Sequence, residues 1–459
     1  MELAFGAVTA SQAAPAEGAI ELLTALLAVA LVVALVAGRL RFPYTLALAI
    51  VGLALGLTGL LPAIELQPDV VLFIFLPALL FEGAWNIETP ALRANWLIIL
   101  LLAVPGLLIA VLIAALALHF GAGFPLLEAV LLSTIISPTD PIAVIALLRQ
   151  LGLSSRLRVI IEGESLFNDG VGAVAFTITL SILLTLLQPG GAVAASQAGA
   201  IALQSLWLLV GGPLIGLGLG FLVTRALRYI EDRLIETAAT FITAYGAYLI
   251  AELIHTSGLL AVVMAGLMLG SYGRRVGISD SARKAVENVW DFISYVVTSL
   301  LFLLLGVQIG DSLTAQALAP TLWATLGVVV GRTVIVYGAL LPYNAIARWY
   351  RQRRPGAARG RPIPVPGTWR PLVVLSGLRG ALSIAPALSL PVTLPDRDLI
   401  TSVVYGVVLI TLVGQGIGLR VLLPRWPGLH DGHDGHDGQP GRPAEHGSGA
   451  ISKPSTQAP

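Results

Sequence analysis

The stretch Ser165-Leu166-Phe167-Asn168-Asp169-Gly170 lies inside an apolar run that continues to Leu187. An aspartate at the centre of a membrane helix costs roughly 2.5–3.5 kcal/mol on insertion scales, so it persists where it faces a cavity, a partner or an ion. A second carboxylate precedes it in a similar setting, in Ser137-Pro138-Thr139-Asp140-Pro141. Two acids sunk in apolar sequence set the question that the rest of the chain has to answer.

The surroundings define the class. Of 459 residues, 56% are hydrophobic and 12% charged, about half the charge of an ordinary soluble domain. The apolar residues come in blocks of spanning length, about 20 residues each, and the chain reads as an all-α, polytopic membrane protein. Thirteen candidate spans emerge: 19–38, 42–61, 69–86, 94–118, 124–148, 158–187, 199–224, 234–254, 258–272, 286–309, 320–347, 370–391 and 399–423. A net charge of +1 gives no support to a nucleic-acid partner, and the absence of cysteine excludes disulfides, thiolate metal sites and cysteine nucleophiles. Glu2 is the only charge before Glu17. Without a basic n-region the first helix is expected to act as an uncleaved anchor.

Basic residues orient the spans. They gather at Arg39/Arg41, Arg149/Arg156/Arg158, Arg225/Arg228/Arg233, Arg274/Arg275/Arg283/Lys284, the Arg348–Arg370 connection and Arg420/Arg425. With thirteen alternating helices all these clusters share one side, which puts the N-terminus outside and the C-terminus in the cytoplasm. Thirteen spans divide as six, one and six. The two six-helix halves then run in opposite senses, as in the inverted repeats of secondary transporters. The fifth span of each half carries a polar, helix-breaking interruption: Ser137-Pro138-Thr139-Asp140-Pro141 in the first, Ser376-Gly377-Leu378-Arg379-Gly380 in the second. Paired interruptions of this kind point to a midplane ion site. The Arg-rich connection 348–370 reads as a cytoplasmic segment lying against anionic headgroups. From about Pro427 the Gly/Pro-rich tail, with its His-Asp-Gly repeat, reads as disordered.

On a helix, Ser165 and Asp169 share a face, and Glu164 and Asn168 form the adjacent pair. One strip thus offers a hydroxyl, two carboxylates and an amide, oxygen ligands that suit hard monovalent cations. Asp140 sits in a Pro-flanked break where backbone carbonyls are free to coordinate, and Thr139 adds a hydroxyl and a carbonyl. The plainer reading is that these groups only hold helices together. A dehydrated carboxylate also binds protons readily, because burial disfavours its charged form. Proton and cation would then compete for one site, and a site open alternately to each side performs exchange with no covalent chemistry and no cofactor.

Glu162-Gly163-Glu164-Ser165-Leu166-Phe167-Asn168-Asp169-Gly170, with Ser137-Pro138-Thr139-Asp140-Pro141 before it, resembles the cation:proton antiporter-1 family of sodium/proton antiporters, which includes NhaP-type bacterial exchangers. Pro77-Ala78-Leu79-Leu80-Phe81-Glu82 and Gly377-Leu378-Arg379-Gly380-Ala381 match as well, and the similarity runs over about 20–424. The resemblance implies an NhaA-like fold with crossed discontinuous helices and a homodimer in the bacterial plasma membrane. It implies dimerisation helices over 19–86 and 234–309, a core over 94–187 and 320–424 that moves as an elevator, and a linker helix over 199–224. Residues 1–18 would be an extracytoplasmic segment and 425–459 a cytoplasmic tail. Asp169 would be the shared sodium and proton site, with Asp140, Ser165 and the Thr139 carbonyl as further ligands and Glu82 as a water-linked carboxylate. Glu164 would pair with Arg332, Asn168 would brace the crossed breaks, and Arg379 would offset charge at the break of the second half. With an arginine at 332, which does not release its proton, exchange is expected to be electroneutral, one cation for one proton. Potassium in place of sodium is the alternative that the ligands leave open. A channel lacks a repeated carbonyl filter, a sensor lacks a signalling domain, and an intramembrane enzyme lacks a Ser/His or His-Glu-x-x-His constellation.

Other polar residues read as structural. His119 and His255 fall at helix ends, and Trp207, Trp290, Trp323 and Trp369 are expected as interfacial anchors. Glu128 lines an outer funnel or touches water, and Glu162 lines an entry funnel or pairs with Arg158. Gly211, Gly212, Gly216, Gly218 and Gly220 are expected to let the seventh span pack closely.

Overall fold

The computed structural model describes residues 2–40, 42–58, 67–140, 145, 154–188, 195–312, 314–353, 363–377, 379–380 and 383–422. The tail beyond 422, the middle of the Arg-rich connection and most of 141–153 lie outside the described residues. The described chain is helical, with no strand. In order, the helices are α1 (Glu2–Leu40), α2 (Tyr44–Thr58), α3 (Pro68–Asn86), α4 (Thr89–Ala122), α5 (Leu126–Ile136), α6 (Ser155–Leu187), α7 (Ala195–Leu227), α8 (Arg233–Leu253), α9 (Gly258–Val276), α10 (Asp280–Ser312), α11 (Leu318–Arg353), α12 (Arg370–Leu375), α13 (Ile384–Leu388) and α14 (Arg397–Leu422). Among the described residues ten helices are long and apolar enough to cross a membrane, and α2 and α5 are shorter apolar helices. Each apolar block read from the sequence overlaps a described helix. Of the two expected to be interrupted, the fifth leaves the helix after Ile136, with most of 141–153 outside the described residues, and the twelfth shows two short helices, α12 and α13.

Local chemistry sets the helix ends. Asp232 caps α8 by accepting the amides of Leu234 and Ile235 at 2.8 and 3.1 Å, and Ser257 caps α9 through Leu260 N at 3.3 Å. Gly123 closes α4 in the left-handed region, φ +76°, where its amide reaches Leu118 O. Pro105 lies within α4 and has no amide to donate, and the helix widens to a π turn over Leu102–Gly106.

Several helix pairs approach closely enough that glycine is required, and two of them carry runs of it. On α2 and α10, Gly52 and Gly56 face Gly306 and Gly310, and a methyl at 306 would stand 2.3 Å from Ala49 O. On α7, Gly212, Gly216 and Gly220 lie against α9, where a methyl at 216 would stand 2.0 Å from Ala261 O. These are small-xxx-small spacings of the kind that bring backbones together in lipid. Gly211 meets Thr256 and Trp207, whereas Gly218 faces open space, so the expectation for α7 holds for four of its five glycines.

Trp290 departs from its expected interfacial role. It is fully buried, donates to Thr240 Oγ1 at 2.9 Å, stacks on Phe241 at 4.5 Å and meets Phe81 in a tilted contact at 4.6 Å between centroids. Phe81 of α3 and Thr240 and Phe241 of α8 pack against it, a distinction that position in the sequence does not carry. Trp207 and Trp323 are half-exposed, as interfacial residues are.

Candidate functional site

α5 ends at Ile136 because Pro138 and Pro141 disfavour helix for themselves and for the residues before them. Ser137, Pro138, Thr139 and Asp140 therefore leave α5 as non-helical chain, all in or near the buried interior. α6 supplies the wall. Asn168 Nδ2 donates to Thr139 Oγ1 at 2.8 Å, its Oδ1 accepts Thr139 N at 3.4 Å, and Ser165 Oγ donates to Thr139 O. One residue of the break is thus held at its amide, hydroxyl and carbonyl by two side chains one helical turn apart. Asn168 Nδ2 also reaches Glu164 Oε1 at 3.3 Å.

Glu164 is the anchor beneath. It is 2% exposed and takes both arms of Arg332 on α11, which also donates to Val373 O at 3.0 and 3.2 Å. The forked geometry and the extra carbonyl offset the desolvation that makes isolated buried charges unfavourable. Val373 O accepts Ser376 Oγ as well, at 2.9 Å, where α12 ends. From there the chain turns to Arg379, whose Nη1 donates to Ser137 O and to Pro138 O, the latter at 2.9 Å. This revises the expected role. Arg379 belongs to the second break but satisfies carbonyls of the first, at the negative end of α5. The two breaks therefore meet.

Asp169 lies one residue beyond Asn168, 7% exposed, and its Oδ1 is buried with no hydrogen-bond partner among the described residues. Buried polar atoms are rarely left so. The residue lines a cavity of about 400 Å3 together with Thr134, Pro138, Thr177, Tyr248, Glu252 and His255. A separate polar cavity of about 290 Å3 lies towards the other end of α6, lined by Asn86, Glu88, Arg158, Glu162, Glu287 and Asp291. It reaches Glu162, two turns short of Asp169. Arg158 pairs there with Glu88 at 3.0 Å, and Glu162 takes its place on the cavity wall.

Of the residues singled out in the sequence, the structure brings together Thr139, Asp140, Glu164, Ser165, Asn168, Asp169, Arg332 and Arg379. Glu82 on α3 accepts Asn86 Nδ2 at 2.6 Å and Ser294 Oγ at 3.5 Å, which directs it towards α10. Glu128 is buried at the start of α5 with Oε2 lacking a partner among the described residues. Sequence reading passed over Glu252 and the backbone of Gly380. Glu252 lies three residues before His255, a short polar group at a helix end that was a usable signal. Gly380 was marked as part of the second break, but nothing in the sequence pointed to its contact with Asp140.

The model of the family described as "Sodium/hydrogen exchanger, transmembrane" matches residues 26–425. The Na(+)/H(+) antiporter ApNhaP of Aphanothece halophytica is 38% identical over 387 residues, 84% of this chain and 70% of that protein. The Na(+)/H(+) antiporter NhaP of Pseudomonas aeruginosa is 37% identical over 364 residues, 78% of this chain and 81% of that one. The solved structure of the sodium proton antiporter MjNhaP1 from Methanocaldococcus jannaschii superposes with a TM-score of 0.70 at 19% identity, covering 89% of this chain and 98% of that one. That superposition shows a shared fold.

Proposed function

The chain belongs to the sodium/hydrogen exchanger family, and from that premise we propose that it exchanges sodium for protons at Asp169. It is a transporter rather than an enzyme. The observation that carries the reading is a buried Asp169 Oδ1 with no hydrogen-bond partner among the described residues, on a residue that lines a cavity and lies next to Asn168, which with Ser165 holds the break at Thr139. A carboxylate without a donor is a ligand in waiting for a sodium ion or a proton, and one charge accommodates one of the two at a time. In this reading Asp140, Ser165 Oγ and Thr139 O complete an oxygen cage, and Glu82 acts at a distance through water. Glu164 and Arg332 hold α6 against α11. Potassium is not carried forward: the relatives described above are named for sodium.

Exchange is then one sodium for one proton, since Arg332 offers no second titrating group. Alternating access arises from a core over 94–187 and 320–424 sliding against helices over 19–86 and 234–309, with 199–224 as the link, in a homodimer. The chain crosses a bacterial plasma membrane thirteen times in two inverted halves, N-terminus outside and C-terminus inside, so the cavity above Asp169 faces outward. Dequenching of a pH dye in everted vesicles tests the assignment. Wild type responds to sodium and lithium, and Asp169→Asn does not; persistent exchange in that variant removes the site. A current driven by membrane potential alone in proteoliposomes would contradict the one-for-one stoichiometry.

A further inference from the structure

We propose that Gly380 is a positioning residue for Asp140: the bare Cα of the second break is the wall against which the Asp140 carboxylate is set. The inference rests on the reading of Asp140 as a sodium ligand and names what fixes that ligand.

The first break is gripped from two sides. On the α6 side a methyl at Gly172 would stand 2.4 Å from Pro138 Cγ, and Thr139 is held by Asn168 and Ser165. On the other side Arg379 takes the carbonyls of Ser137 and Pro138. Asp140 is the next residue along, and it meets Gly380. A Cβ built on Gly380 would lie 1.9 Å from Asp140 Oδ2, 2.4 Å from its Cβ and 2.5 Å from its Cγ. Turning the carboxylate about χ1 removes the first conflict but leaves the second, because the Asp140 Cβ does not move with χ1. A side chain at 380 therefore displaces backbone.

Backbone conformation does not explain the glycine. Among the described residues the only glycine with positive φ is Gly123, so alanine is conformationally allowed at 380. The position is also fixed. Arg379 ties one flank to the first break, and Gly380 O accepts Ser383 N at 3.2 Å on the way into α13. What the site lacks is room, and Asp140 occupies that room. Bringing the two Cβ atoms to an ordinary separation of 3.4 Å from 2.4 Å moves Asp140 by about 1 Å, a displacement that can cost about 100-fold where geometry is demanding.

The test uses the full chain in proteoliposomes with an internal pH dye, titrated with sodium and with lithium, which is smaller and more sensitive to cage dimensions. Gly380→Ala is expected to raise KM for sodium at least tenfold and to change the lithium-to-sodium KM ratio, whereas a purely structural defect lowers Vmax through the amount of folded protein. An unchanged KM and ratio overturns the proposal. Asp140→Asn separates it from its premise: wild-type sodium KM in that variant removes Asp140 as a ligand, while loss of exchange there with normal kinetics in Gly380→Ala removes only the role of Gly380. Thermal melts in detergent cover the case in which Gly380→Ala does not fold. Asp140→Gly deletes all three conflicting atoms, so adding Gly380→Ala to it is expected to cost little stability. If the alanine is as damaging in that background, it clashes elsewhere and the inference falls.

Discussion

At the scale of single residues the site combines two carboxylates with opposite circumstances. Glu164 is saturated by the Arg332 fork and Asn168, whereas Asp169 Oδ1 has no hydrogen-bond partner among the described residues. Removing one member of a buried pair strands the other and costs about 3–5 kcal/mol. Glu164→Gln is therefore expected to lower the melting temperature of detergent-solubilised protein sharply. Joint replacement of Glu164 and Arg332 by uncharged residues should cost less than the sum of the single changes. Asp169→Asn removes a buried charge whose Oδ1 has no hydrogen-bond partner among the described residues, so its melt is expected at or above wild type even though transport is lost. The pair of results separates structure from function on one helix face. A large fall in stability for Asp169→Asn would mean that this carboxylate is a structural partner, contrary to the proposed role.

At the scale of elements the glycine-lined contact of α7 with α9 makes a sharp contrast within one helix. Gly216→Val drives two methyls into Ala261 O, against backbone that cannot yield cheaply, and the expected result is little folded protein. Gly218→Val, two residues on, points into open space and should purify and melt near wild type; equal damage at both positions would mean that valine harms α7 by something other than contact. The existence and order of the helices were legible from the sequence because lipid demands apolar blocks of fixed length. So were the two breaks, because Pro138, Pro141, Gly377 and Gly380 announce them. The grouping of Ser165 and Asp169 followed from helical spacing alone. What the sequence did not disclose are relations between segments far apart: Arg379 reaching back across 242 positions to Ser137 O, Trp290 buried between Phe81 and Phe241, and Asp140 seated on Gly380. Periodicity reports which face of a helix is apolar, and it is silent on which neighbour that face meets.

At the scale of the molecule the proposed division into a sliding core and a fixed frame has a consequence at α14 and α10. Tyr405, 1% exposed on α14, donates from Oη to Gln308 Oε1 on α10 at 2.6 Å. In the proposed division residue 405 belongs to the core and 308 to the frame, so the bond crosses the sliding boundary and breaks or changes partner when the core moves. A buried hydrogen bond between neutral groups contributes about 0.5–1.5 kcal/mol net, equivalent to roughly a 2- to 12-fold bias towards the conformation seen here, in which Asp169 communicates with the cavity near His255. Tyr405→Phe removes the bond with little change of volume and should shift the population away from that conformation. The chain has no cysteine, so a single Thr177→Cys on the cavity wall reports access to a membrane-impermeant maleimide without background. In the Tyr405→Phe background its modification is expected to slow by a factor of two or more, and exchange to continue with altered KM. Modification at the original rate would mean that α14 and α10 move together, and the boundary between core and frame would then have to be drawn elsewhere.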